Sequence, residues 1–252
     1  MSVQPLPHPR RKRVWLPPEA SIRLAEFGLE AKHFHDALAT GDRKSRQVGG
    51  GVPRQKRRKK THEAPEPVGT GLYPLNYPGI VMWAESLQAL RSILVRINGA
   101  DWTVGRSGNY ETVYSLQRGI GIAIHSGDRW AGVDAHHEPR LRRGRGRMAI
   151  ERGARNVVFE QLALFPADIG KSTQAKDESV KTYFLLPNAR EDDIALELSL
   201  PTSFGPNGQV EEWSERILIT PVPISNAVQL TPPDEDDDDE DDTGRIVDRP
   251  DR

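Results

Sequence analysis

Nine consecutive carboxylates, Asp234 to Asp242, and a basic string, Arg54-Gln55-Lys56-Arg57-Arg58-Lys59-Lys60, cannot enter a core and so decide where this 252-residue chain can fold. Blocks of like charge repel themselves, bury no apolar surface and stay solvated, which suits interaction tails. Residues 1–61 hold 15 Lys/Arg against 5 Asp/Glu, and residues 231–252 hold 3 against 11, so the net charge of −1 averages unlike regions. Apolar residues concentrate from about Tyr73 to Ile224, enough chain for one ordinary core. The expected organisation is a basic arm over 1–69 with a short helical segment at about 18–39, a folded domain over 70–226, and a disordered acidic tail over 227–252.

Within the folded region, Trp83, Leu87, Leu90, Leu94 and Ile97 recur at helical spacing, and Asn98-Gly99 supplies a stop. The period then shifts towards two. Trp102 to Val104, Glu111 to Leu116 and Ile120 to Ile124 read as a strand meander with turns at short intervals. A second set comprises Thr182 to Leu186, Ile194 to Leu200 and Trp213 to Thr220. Ile194, Leu196, Leu198 and Leu200 alternate with Ala195, Glu197 and Ser199, which predicts one buried and one wet face. Gly121 and Ala123 leave room for a close neighbour, for which the Trp83 to Ile97 helix is a candidate. The pattern predicts an α+β fold: an antiparallel sheet with at least one long covering helix, flanked by the basic arm and the acidic tail.

The chain contains no cysteine, which excludes disulfides and thiolate chemistry and fits a cytoplasmic location, or a nuclear one in a eukaryotic cell. No stretch approaches the ~20 apolar residues that span a bilayer, and the start lacks the apolar run of a secretory signal. Walker-type glycine loops, a Gly-x-Ser-x-Gly elbow and His-Glu-x-x-His are all missing, so no catalytic signature and no cofactor is indicated.

Two basic elements point to phosphate. Arg54, Lys56, Arg57, Arg58, Lys59 and Lys60 follow Gly49-Gly50-Gly51 and read as a tether able to release counterions from nucleic acid. Arg140, Arg142, Arg143, Arg145 and Arg147 form the second element, which continues to Arg152 and Arg155 with only Glu151 opposing. The planar guanidinium suits phosphate oxygens, and the interleaved glycines and missing aromatics predict backbone contact in a loop. The alternatives are a solvated loop or a dock for the acidic tail.

Around Gly28, Leu24 to Leu38 resembles a helix-turn-helix, with Leu29, Phe34 and Leu38 packing the second helix on the first. The pattern departs from that motif in placing Leu24 where a small residue is usual. The resemblance implies that Glu30, Lys32, His33 and His35 face a groove. The bland alternative is a single amphipathic helix packed on the folded domain. Further on, Gln161, Leu162, Leu164 and Phe165 resemble the bacterial sliding-clamp-binding peptide, which implies a clamp as partner. The competing reading makes these residues core.

His125, Asp134, His136, His137 and Glu138 lie close in sequence, and imidazole with carboxylate can ligate zinc, manganese or iron. That makes a metal-dependent hydrolase or nuclease using His125, His136 and His137 the first alternative function. A protein-interaction or assembly role without nucleic acid is the second. The leading expectation is a nucleic-acid-binding accessory protein of DNA metabolism, non-specific in its contacts, with the acidic tail competing for its cations.

Overall fold

The computed structural model describes residues 12–48, 74, 76–97, 102–133, 135–164, 177, 179–190 and 192–224. A seven-stranded mixed sheet with helices on both faces forms the body. In chain order the elements are β1 (Arg13–Trp15), α1 (Glu19–Glu26), α2 (Ala31–Val48), α3 (Tyr77–Ile97), β2 (Thr103–Gly105), β3 (Thr112–Ser115) and β4 (Ile120–Ile124). They continue with α4 (Arg147–Leu164), β5 (Lys181–Ala189), β6 (Asp193–Phe204) and β7 (Val210–Pro223). The strand order is β1-β7-β6-β5-β4-β3-β2, so the two edges are the two three-residue strands. Short edges offer little template for unwanted pairing.

Both strand sets expected from the alternation are present. The sheet is mixed, however, and not antiparallel: β4 pairs with β5 in parallel, as does β1 with β7. The physical reason is the connection. β4 and β5 are joined by a long crossover that contains α4, and only such a crossover returns a strand in the same direction.

One face of the sheet carries Ile120, Ile122, Tyr183, Leu185, Leu196, Leu198, Ile217 and Ile219 against Leu24, Phe34, Leu38, Leu87, Leu90 and Leu94 of the first three helices. The amino-terminal segment is thus part of the same fold and not a separate arm, at least over 12–48. Gly28, at φ 68°, makes the turn between α1 and α2, a conformation glycine adopts without strain. α2 packs along α3, with Leu29, Phe34 and Leu38 in the common core. Of the residues expected to face a groove, His33 is buried and His35 hydrogen-bonds the Thr220 carbonyl at 2.8 Å, while Glu30 and Lys32 are exposed.

Glu215 of β7 fixes this segment. Its carboxylate accepts from Trp15 Nε1 at 2.7 Å, Arg23 Nε at 2.7 Å, Arg23 Nη2 at 3.0 Å and Tyr183 Oη at 2.6 Å. Burial alone would raise its pKa, but the hydrogen bonds from Arg23 and Tyr183 hold it below the ordinary carboxylate range.

The opposite face, expected to be wet, is covered by α4 and the segment that follows β4. Phe184, Leu186 and Trp213 pack there with Ala123, Leu141 and Ala149. Asn156 of α4, fully buried, donates to the Thr182 and Pro201 carbonyls at 3.0 and 2.8 Å and accepts from Thr182 N–H at 2.8 Å. Helix α4 is thereby tied to β5 and β6 at once. The neighbours of Gly121 are Val180 and Tyr114, while α3 lies across the other face.

Glu197 and Ser199, read from sequence as solvated, are fully buried. Glu197 binds Arg216 through both oxygens, Nε to Oε1 at 3.2 Å and Nη2 to Oε2 at 2.6 Å. Ser199 Oγ and Gly132 N–H complete its shell at 2.7 and 3.0 Å. Removing one partner of such a pair leaves an uncompensated buried charge. We therefore expect Arg216→Met to cost about 3–5 kcal/mol in urea denaturation, and the double variant Glu197→Leu/Arg216→Met to recover most of that loss.

Candidate functional site

The arginine run forms a loop that leaves the β4 side of the sheet and enters α4 at Arg147. It is pinned from beneath. Trp213 Nε1 donates to the Pro139 carbonyl at 3.1 Å. Gln209 holds Leu141 by both its N–H and its carbonyl, at 3.2 and 3.0 Å. Asp128 and Arg142 N–H groups donate to the Arg140 and Ser126 carbonyls at 2.8 and 3.0 Å, and Arg145 N–H donates to Gly208 at 2.8 Å. Gly144 lies so close to the β6–β7 turn that a Cβ would stand 1.9 Å from the Asn207 carbonyl oxygen. A hydrogen-bonded backbone of this kind presents side chains from fixed positions.

Six of the seven arginines can be sorted by their surroundings. Arg140, Arg142 and Arg143 are exposed and meet no carboxylate among the described residues. Arg147 pairs with Glu151 at 2.5 Å. Arg152 is fully buried and bound to Asp177, whose carboxyl burial would raise but which Ser107 and Arg152 hold below its ordinary range. Arg145 is half-buried with its Nε enclosed and without a hydrogen-bond partner.

Arg145 turns toward a cavity of about 380 Å³ between α3, the turn at Ser107–Asn109 and the start of α4. Trp83, Tyr110, Ile124, His125 and Met148 form much of its wall. Trp83 is 41 % exposed, and its indole N–H donates to the Ile124 carbonyl at 3.1 Å, which orients the ring. Tyr110 Oη and His125 Nε2 are 2.7 Å apart, and the imidazole stands edge-on to Phe184 at 4.4 Å. Arg152 lies over the Tyr110 ring at 5.6 Å.

Burial, aided by Arg145, holds the His125 pKa well below its ordinary value, and burial pushes the Tyr110 phenol up. Both are neutral at pH 7. One proton is then shared between them and a second polar hydrogen is left over, on Nδ1 or on Oη according to the tautomer.

The expected metal cluster is not assembled. His125 lies in this cavity, while His137 stacks on Trp130 at 4.1 Å and its carbonyl accepts from Arg216 at 2.7 Å. Glu138 pairs with Lys12 at 2.8 Å, and Asp134 is outside the described residues. Among the described residues no three His, Asp or Glu side chains stand together as metal ligands. His136 and His137 lie in the loop that the Gly127–Leu141 bridge closes, whereas His125 sits at the end of β4 in the cavity wall.

Gln161 to Leu164 form the end of α4, and Phe165 lies outside the described residues, as do Arg54 to Lys60 and the acidic run. A helical backbone differs from the extended one that a clamp groove takes. Among the described residues no helix is long and apolar enough to cross a membrane. Sequence reasoning missed Tyr110 and the cavity altogether, because Trp83 read as a helix position and Tyr110 falls just outside the strand expected from Glu111. No protein family, curated protein or solved structure matches this chain, so its function is read from geometry.

The unfolded chain binds a proton at about pH 6.5 that the folded His125 refuses, so stability present above that pH is lost progressively as pH falls below it. In urea denaturation at pH 7.5 and 5.5, His125→Gln should lose less stability between the two pH values than the wild type does.

Proposed function

We propose that this protein binds the phosphate backbone of nucleic acid through Arg140, Arg142 and Arg143, as an accessory protein of DNA metabolism. The observation that supports this reading is a loop held by buried and partly buried hydrogen bonds that carries three exposed guanidinium groups with no carboxylate partner among the described residues. A structural ion-pair network would have met those charges, as it meets Arg147 and Arg152. Guanidinium groups on a fixed loop suit the spaced oxygens of a phosphate backbone and carry no base readout by themselves.

In this reading Arg54 to Lys60 add sequence-independent attraction, and the Asp234 to Asp242 run competes for both basic elements. Gln161 to Leu164 would have to leave the last turn of α4 before the peptide could fill a clamp groove.

Binding of a labelled duplex and a labelled single strand across a salt series tests the reading. Neutralisation in place is needed for Arg54 to Lys60, since deleting residues 1–61 would remove β1, α1 and α2 from the core. Replacing Arg140, Arg142 and Arg143 with Gln should reduce the log–log salt slope by roughly one per arginine on phosphate and weaken binding alike for all sequences. Absence of binding at low salt, or an unchanged slope in the triple variant, overturns the proposal.

A further inference from the structure

The geometry points to a second, separate site: we propose that the cavity at the start of α4 binds the phosphomonoester of a nucleotide, with phosphate on Arg145 and the Tyr110–His125 pair and the base against Trp83. This site shares no side chain with the backbone contact proposed for Arg140, Arg142 and Arg143, so either can fail alone.

The first support is the supply of unused donors. His125 is more than nine-tenths buried, and its pairing with Tyr110 uses only one of the two polar hydrogens the pair carries. Neither group has another side-chain partner among the described residues. The spare hydrogen lies on a cavity-lining residue, where a ligand oxygen could accept it. Arg145 Nε is likewise enclosed and unpartnered, although its backbone is fixed by Gly208. The arginine remains charged despite the lowering effect of burial and Arg143.

The second support is the balance of charge. The carboxylate in the cavity wall, Glu111, is engaged by Arg91 at 2.5 Å and faces Arg106 at 3.7 Å. It therefore does not answer Arg145. The first N–H groups of α4, at Arg147 and Met148, have no partner within the helix, which adds to a field that favours an anion. These N–H groups alone would not define a ligand; the enclosed arginine and the histidine–tyrosine pair do.

The third support is size and shape. A volume of about 380 Å³ exceeds what an inorganic anion needs and falls in the range of small-molecule sites. Trp83, held by the Ile124 carbonyl and 41 % exposed, offers a ring face beside Met148 and Ile124. An aromatic plane next to a cationic, donor-rich end matches a base joined to a phosphate, and base–aromatic stacking tolerates any base. Such a nucleotide is either free or the phosphorylated end of a strand.

Calorimetric titration of the full chain with AMP, adenosine, ribose 5-phosphate and inorganic phosphate tests the site. AMP should bind saturably and adenosine at least about tenfold more weakly, since the ionic contacts are lost. Arg145→Gln and Tyr110→Phe should each weaken AMP by about tenfold, with Arg145→Lys intermediate. Trp83→Ala should weaken AMP but leave ribose 5-phosphate unchanged, whereas the Arg140/Arg142/Arg143 triple variant should bind AMP as the wild type does.

Tyr110→Phe retains the ring and serves if Arg145→Gln lowers the melting temperature. Competition by a 5′-phosphorylated oligonucleotide, and not by its 5′-hydroxyl form, assigns the site to strand ends; competition by neither assigns it to free nucleotide. Equal affinity for AMP and adenosine, no saturation below several millimolar, or AMP binding unaffected by both Arg145→Gln and Tyr110→Phe overturns the inference.

Discussion

The buried pair between Glu197 and Arg216 is the interaction on which the functional half of this molecule rests. Both side chains are withdrawn fully from water. Two such charges are costly to bury, and the cost is offset only when geometry is close and the remaining donors and acceptors are filled. Here Arg216 has Glu197 on Nε and Nη2, while Nη1 reaches the His137 carbonyl at 2.7 Å and that of Ala135 at 3.4 Å. Glu197 in turn accepts from Ser199 and from Gly132 N–H. The pair therefore does more than neutralise itself: it anchors the segment after β4 to β6 and β7. The arginine loop and one wall of the cavity follow directly from that anchored segment.

On the other face, Glu215 does comparable work for the amino-terminal residues. Four donor contacts from β1, α1 and β5 converge on one carboxylate, and they bring the beginning of the chain against its last strand. The two faces of β7 thus carry two ionic anchors, Glu215 inward to the three-helix layer and Arg216 to the α4 layer. Adjacent residues on a strand point to opposite faces, so neighbours in sequence hold different layers in place.

Six arginines between 140 and 152 illustrate how tertiary structure sorts one residue type into different roles. Arg152 is interior and bound to Asp177, Arg147 takes Glu151 on its own helix, Arg145 faces an enclosed cavity, and Arg140, Arg142 and Arg143 face solvent. In the proposed reading these exposed groups meet a phosphate backbone and the enclosed one meets a phosphomonoester. Low dielectric and defined donors favour a small ligand inside, whereas a solvated loop suits a long polyanion.

Hydrophobic period decided much of the fold in advance. The α3 helix, the β2–β3–β4 meander and the three later strands are all legible, because apolar spacing of 3.6 or 2 records which side chains need cover. Composition likewise separates charged stretches from the core. What period cannot record is the partner. Glu197 and Ser199 alternate with leucines as solvated residues would, yet they are dry, since α4 and Arg216 arrive from elsewhere in the chain. Parallel pairing of β4 with β5, the docking of residues 12–48 and the meeting of Tyr110, His125 and Arg145 are also long-range facts. The sequence by itself determined the α3 helix, most of the strands and where the charged stretches lie, but not the helix α4 or the edge strand β1; tertiary structure alone decided which charges are buried, because that depends on contacts between residues far apart in the chain.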